Sequence, residues 1–216
     1  MKIFLDTTNI EEIKELNQLG IIDGITTNPS LIAKANGDFI DIITKIAEII
    51  DGPISAEVIA TDYDSMIKEA EILSAISKNI VIKLPLTFSG LKACKYLSSK
   101  DIKVNLTLCF SANQALLAAK CGATYISLFV GRLDDIASGG HKLIEDTVQI
   151  YDNYNIKTEI LVASVRSPDH VMSASLAGAD IITVTPDIIK KMINHPLTDQ
   201  GIELFLSDWQ KSGKNL

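Results

Sequence analysis

The feature that most constrains this chain is a rhythm. Short apolar runs rich in β-branched residues recur from end to end, at Lys2–Asp6, Gly24–Thr27, Ile54–Ile59, Ile80–Leu84, Ile102–Leu108, Tyr125–Val130, Thr158–Ala163 and Ile181–Thr185. Between them lie stretches of helical period. In Tyr63–Ser77, Met66, Ala70, Leu73 and Ile76 share one face, with Lys68, Glu69 and Glu71 largely away from it. Helix starts are marked by Ser111 ahead of Ala112–Lys120 and by Thr185-Pro186, a cap followed by proline at the first helical position. Strands and helices that alternate through short connections imply a parallel sheet. Eight such units with continuous apolar strands predict an α/β fold, a (β/α)8 TIM barrel whose parallel sheet closes on itself. The alternative is a doubly wound open sheet. Against it, the first strand runs into Thr7-Thr8-Asn9 and carries no G-x-G-x-x-G for a dinucleotide. No linker or low-complexity tract interrupts the pattern, so residues 1–216 are expected to form a single domain. The amphipathic stretch Ile202–Trp209 predicts an additional C-terminal helix over about 200–212 that packs on a neighbour.

Composition narrows the function. A net charge of −7 argues against nonspecific nucleic-acid binding, which needs a basic surface, but leaves room for a phosphorylated small substrate held by a local arginine pair. Met1-Lys2-Ile3-Phe4-Leu5-Asp6 meets an acidic residue too early for a signal peptide, and no apolar run approaches membrane-spanning length. No membrane association is therefore expected. Three cysteines (Cys94, Cys109, Cys121), odd in number and without C-x-x-C spacing, read as buried thiols in a reducing cytoplasm.

In a barrel of this kind the active site lies at the carboxyl ends of the strands. The out-of-pattern polar residues fall there: Asp6, then Thr26, Thr27 and Asn28, then Glu57, Lys83, Asn105 and Thr107, Ser127 with Phe129 and Arg132, and finally Ser164 and Arg166. Asn105 and Thr107 alternate with Val104, Leu106 and Leu108, which puts the polar pair on the inward face. Taken singly, Asp6 or Asn28 reads as a loop cap, Thr107 as a β-former, and Arg132 and Arg166 as surface charges. Lys83 and Glu57 differ, because a charge inside an apolar strand needs a partner or a function.

A free lysine amine titrates near about 10.4 and is protonated at neutral pH. Burial among Ile80, Ile82 and Leu84 disfavours the cation and frees the amine to attack a carbonyl. The protonated imine then accepts the electrons released when a neighbouring carbon–carbon bond breaks. Glu57, with the Thr107 hydroxyl, is a candidate to shuttle protons during imine formation, and Asp6 is the candidate carboxylate for the substrate hydroxyl. Lys83 thus reads as a Schiff-base nucleophile. The scattered histidines (His141, His170, His195) lack metal-ligand spacing, and neither a Walker A loop nor a G-x-S-x-G elbow is present. No metal is expected.

With these residues in hand, the sequence resembles the small-subunit branch of the transaldolase family, which also contains fructose-6-phosphate aldolases. The resemblance runs nearly end to end, through Phe4-Leu5-Asp6-Thr7, Gly24-Ile25-Thr26-Thr27-Asn28-Pro29-Ser30-Leu31, Val81-Ile82-Lys83-Leu84-Pro85, Asn105-Leu106-Thr107, Ser127-Leu128-Phe129-Val130-Gly131-Arg132-Leu133-Asp134-Asp135 and Ala163-Ser164-Val165-Arg166. It implies a (β/α)8 barrel without metal or organic cofactor, acting on sugar phosphates in the non-oxidative pentose phosphate pathway. Lys83 would form the imine, Glu57 and Thr107 would assist through a water, and Asp6 would take and return the proton. Asn28, Asn105 and Ser127 resemble ligands for dihydroxyacetone hydroxyls, with Thr26 and Phe129 also lining the substrate site. Arg132, Ser164 and Arg166 resemble a phosphate clamp. The resemblance further implies a homo-oligomer, rings of five pairing into decamers. The transaldolase branch carries glutamate on the third strand and phenylalanine on the sixth, where the aldolase branch has glutamine and tyrosine. Glu57 and Phe129 therefore favour the transferase over an aldolase that releases dihydroxyacetone.

Overall fold

A computed structural model, which describes residues 1–215, shows eight parallel strands closed into a barrel in chain order. The strands are β1 (Lys2–Asp6), β2 (Gly24–Thr26), β3 (Ile54–Glu57), β4 (Ile80–Pro85), β5 (Val104–Cys109), β6 (Tyr125–Phe129), β7 (Glu159–Ala163) and β8 (Ile181–Val184). Closure is completed by β1 against β8, with Ile3 beside Ile182 and Leu5 beside Val184. The helices are α1 (Ile10–Asn17), α2 (Pro29–Ile32), α3 (Phe39–Ala47), α4 (Tyr63–Ser74), α5 (Phe88–Ser98), α6 (Ala112–Lys120), α7 (Val130–Asp134), α8 (Gly140–Asn153), α9 (Pro168–Ala177), α10 (Pro186–Ile193) and α11 (Pro196–Ser212). The open doubly wound sheet is excluded by this topology. Among the described residues no helix is long and apolar enough to cross a membrane.

Local chemistry explains the element starts. Asn9, Asp62, Thr87 and Ser111 each accept a backbone N–H from the first turn of the helix that follows, and Pro29, Pro168, Pro186 and Pro196 occupy first helical positions. The C-terminal helix begins at Pro196, ahead of the expected residue 200, because His195 caps it by accepting the Leu197 N–H on Nδ1. Several strands stop a residue or two short of the expected ends. The sixth gives way at Val130, which opens α7 instead of closing β6. Cys94 and Cys109 are buried free thiols, whereas Cys121 is only half-buried.

Strand alternation sorts the side chains into two cores. Outward-facing aliphatics such as Leu5, Ile25, Ile82, Leu106 and Ile126 pack under the helices. Inside the barrel, Phe4, Val81, Tyr125, Leu161 and Ile181 form a separate apolar plug, with the Phe4 and Tyr125 rings edge to face at 6.2 Å. Gly24 makes space for it, because a Cβ there would lie 2.6 Å from the Pro53 carbonyl oxygen and 2.8 Å from the Phe4 ring. Burial and the nearby Glu159 carboxylate push the Tyr125 hydroxyl up to about 12, so it stays neutral.

The plug fills one end of the barrel and leaves the other to polar groups. Truncating it removes a fully buried aromatic from a closed space with little scope to collapse. Phe4→Ala is expected to lower unfolding stability by about 3–5 kcal/mol. Urea denaturation checks this, and a loss below about 1 kcal/mol would mean the plug does not support closure.

Candidate active site

Above the plug the inward positions turn polar, and parallel register sets them side by side. Glu57 is the register partner of Lys83, Lys83 that of Asn105, and Asp6 that of Thr26. Lys83 is buried, at 4 % exposure, and its Nζ lies 2.9 Å from Glu57 Oε2 while donating to the Thr27 carbonyl oxygen, also at 2.9 Å. Its neighbours in sequence, Ile80, Ile82 and Leu84, were expected to surround this amine. Those three side chains point outward into the helix-covered core, as strand alternation requires. The amine's neighbours are therefore a carboxylate and a carbonyl, not an aliphatic shell.

Asp6 faces the same space from the end of β1. Its Oδ1 accepts from Thr26 Oγ1 at 3.2 Å and from Asn28 Nδ2 at 3.5 Å. Thr183 Oγ1 is 2.6 Å from Thr26 Oγ1, so with Thr26 donating to Asp6 the chain runs Thr183 to Thr26 to Asp6. Burial raises the Asp6 carboxyl above the usual aspartate range, and Lys83, Thr26 and Asn28 only partly oppose it. Asn28 serves two ends: its Oδ1 caps α2 through the Leu31 N–H at 3.0 Å while its amide nitrogen reaches Asp6.

A cavity of about 440 Å³ opens over these groups. It is lined by Asp6, Thr26, Asn28, Glu57, Lys83, Ser127, Phe129, Arg132, Ser164 and Arg166, which gathers into one place all but two of the site residues expected from the sequence. Arg132 projects from α7, and Ser164 and Arg166 from the loop that follows β7. The Arg132 guanidinium lies over the Phe129 ring at 5.0 Å, and the Phe110 and Phe129 rings meet edge to face at 5.8 Å.

The remaining two, Asn105 and Thr107, do not line it. Asn105 is fully buried, donating to Ser55 Oγ at 3.0 Å and accepting from Ser127 Oγ at 2.8 Å. Because Ser127 gives its proton to Asn105, its oxygen presents lone pairs toward the cavity. Thr107 Oγ1 is buried without a hydrogen-bond partner among the described residues. The residue that reaches the cavity from β5 is Leu108, expected to face outward. The pairing explains the reversal. Leu106 sits opposite Ile126 and Cys109 opposite Leu128, so β5 carries one extra residue there, and Leu108 takes a left-handed φ of 60°.

Sequence reasoning missed Ser55, Thr183 and Lys34. Ser55 and Thr183 carried a readable signal, since each is a polar residue at an inward position of an apolar strand. Lys34 lines the cavity from beyond α2, and no local pattern singles it out.

The raised Asp6 carboxyl fixes the sign of a stability effect. The folded chain holds this proton to higher pH than the unfolded chain does, so stability falls as pH rises from about 3.9 through the folded-state value. Asp6→Asn removes that ionisation while keeping an oxygen for Thr26. At neutral pH the variant is expected to melt higher, by about 2–4 °C per kcal/mol relieved, with the advantage vanishing below about pH 4. Calorimetry across pH checks it, and a variant that melts lower at pH 7 would contradict the burial argument.

Comparison with known proteins bears on this arrangement. The family described as Transaldolase/Fructose-6-phosphate aldolase matches residues 3–216. Proteins named probable transaldolase from Rhizobium meliloti (strain 1021), Brucella ovis and Bartonella tribocorum are 57 %, 56 % and 54 % identical to this chain, each over 216 residues and the whole length of both proteins. Among solved structures, a thiamine phosphate pyrophosphorylase from Pyrococcus furiosus superposes with a TM-score of 0.59 at 14 % identity, covering 85 % of each chain, a likeness of fold alone. On the strength of a match that spans the sequence, the chain belongs to the transaldolase/fructose-6-phosphate aldolase family.

Proposed function

We propose that this chain is a transaldolase that moves a dihydroxyacetone unit between sugar phosphates through an imine on Lys83. The observation that carries the reading is the buried Lys83–Glu57 pair facing the Asp6 carboxyl across one cavity. Glu57, at 2.9 Å, takes the ammonium proton and frees the amine to attack the ketose carbonyl. The same carboxyl returns a proton as the carbinolamine hydroxyl leaves as water. Asp6 then removes the proton from the hydroxyl on the carbon beyond the scissile bond. As that hydroxyl becomes an aldehyde, the bond's electrons pass into the iminium, leaving an enamine on Lys83. The enamine attacks the acceptor aldehyde, Asp6 returns its proton, and water releases the new ketose. A carboxyl lifted by burial suits a group that must both accept and return a proton.

Asn28, Asn105 and Ser127 are read as ligands of the dihydroxyacetone hydroxyls, and Thr107 as a free hydroxyl available to a water near Glu57. Arg132, Ser164 and Arg166 are read as the phosphate clamp, since two guanidiniums and a hydroxyl on one cavity wall suit the oxygens of a phosphate. Phe129 offers no hydroxyl to protonate the carbanion, which favours transfer over release. With this activity we place the chain in the non-oxidative pentose phosphate pathway of the cytoplasm, as a homo-oligomer. The last is supported by α11, where Ile202, Phe205, Leu206 and Trp209 are all exposed along one side.

Fructose 6-phosphate with borohydride is expected to add a reduced adduct to Lys83, seen by mass spectrometry, and Lys83→Arg is expected to abolish it. With erythrose 4-phosphate present, sedoheptulose 7-phosphate is expected to form with little free dihydroxyacetone. Accumulation of dihydroxyacetone without an acceptor would make the chain an aldolase instead. Phe129→Tyr is expected to raise release relative to transfer by about 100-fold, the lower end of what one positioned acid–base group contributes. An unchanged ratio would discard that role for Phe129.

A further inference from the structure

His170, one of three histidines without a role in the scheme above, stands where the two arginine-bearing segments meet. The Arg166 backbone N–H donates to His170 Nδ1 at 3.2 Å, and His170 Nε2 lies 3.2 Å from Asp134 Oδ2. The Arg166 N–H fixes the ring as the neutral Nε2–H tautomer, because Nδ1 must accept, and this sets the Nε2–H beside the Asp134 carboxylate. Asp134 is two residues beyond Arg132 in α7, and its other oxygen accepts the Gly140 N–H at 2.7 Å. Asp135 next to it holds the Arg166 guanidinium, Nη2 to Oδ2 at 3.0 Å. The backbones are pressed together at the same place. A Cβ on Gly131 would lie 1.9 Å from the Ser164 carbonyl oxygen, and Ser164 itself takes a left-handed φ of 61°.

We propose that His170 is a positioning residue that, from the first turn of α9, locks α7 and the loop carrying Arg166 into one frame, and so sets the spacing between Arg132 and Arg166. The inference rests on the reading of those arginines as the phosphate clamp. His170 touches neither substrate nor the reacting atoms. Its ring is a two-ended spacer, one nitrogen on each segment, and only the neutral form satisfies both ends. Protonation places a second donor against the Arg166 N–H and breaks that end, while the Asp134 end persists. The charged groups around the ring are Asp134 from α7, at hydrogen-bond distance, and Arg166, whose guanidinium is turned away to Asp135; Asp169 is its neighbour within α9.

Asparagine and alanine separate the idea from a general structural role. His170→Asn keeps an acceptor near the Nδ1 position, whereas His170→Ala removes both ends. His170→Ala is expected to raise KM for fructose 6-phosphate about 10-fold, one lost charge-linked contact's worth, with kcat changed less than about 2-fold. His170→Asn is expected to recover most of that loss. Turnover of unphosphorylated fructose should be indifferent to all three residues at position 170. Nitrogen chemical shifts of the free protein report the tautomer without activity, and the Nε2–H form is expected at pH 8.

A Nδ1–H tautomer, an unchanged KM in His170→Ala, or an equal loss with unphosphorylated fructose would overturn the proposal. Arg166→Gln tests the clamp itself. If it leaves the preference for phosphorylated sugar intact, the clamp reading fails and this inference with it. If it abolishes that preference while His170→Ala does not alter it, only the inference fails.

Discussion

The ion pair between Lys83 and Glu57 governs the rest of this site. Two opposite charges inside a closed sheet cost several kcal/mol to desolvate, and the cost is offset only by close geometry and further hydrogen bonds. Both conditions are met: the pair is 2.9 Å apart, and Lys83 also reaches the Thr27 carbonyl. Strand register delivers this without any loop, because Glu57 and Lys83 are direct neighbours on β3 and β4. The pair also has a chemical meaning. In the proposed reaction, the amine that must lose a proton before attacking carbon has its proton acceptor in contact, held on a neighbouring strand.

Barrel closure divides the interior into a dry half and a wet half. The plug of Phe4, Val81, Tyr125, Leu161 and Ile181 seals the amino-terminal end, so every inward position above it opens toward the carboxyl end. Asp6, Thr26, Glu57, Lys83, Ser127 and Thr183 occupy those positions next to the cavity, whereas Ser55, Asn105 and Thr107 are buried outside its lining. Each deep polar group except Thr107 is tied to a neighbour, which keeps donors and acceptors oriented. The outer rim works differently. There Arg132 and Arg166 are carried by short segments, and their placement depends on contacts between segments: a ring face, a carboxylate and a histidine.

The alternation of apolar runs and helical stretches is enough to read the barrel, and the polar breaks in those runs are enough to read most of the site. Lys83 and Glu57 are visible because a charge in an apolar strand violates the local pattern. Thr183 and Ser55 obey the same rule more quietly and are easily passed over. Leu108 is not legible in one dimension, because the extra residue in β5 shows only in its pairing with β6. Nor is the link from Asp134 to His170, which joins residues on different segments through side chains that look like ordinary surface charge along the chain.

The sequence by itself determined the fold class, the parallel sheet, the helix starts and the presence of a lysine at an inward strand position, because those follow from period, capping chemistry and burial of apolar surface, all local properties. The tertiary structure alone decided what Lys83 meets. Local sequence surrounds it with isoleucine and leucine; strand alternation turns them outward and register brings a carboxylate to its side. It alone decided, too, that burial lifts the Asp6 carboxyl above the usual aspartate range, and that the Arg166 backbone meets the His170 ring. Desolvation and charge coupling depend on distances between strands, and those distances exist only once the barrel has closed.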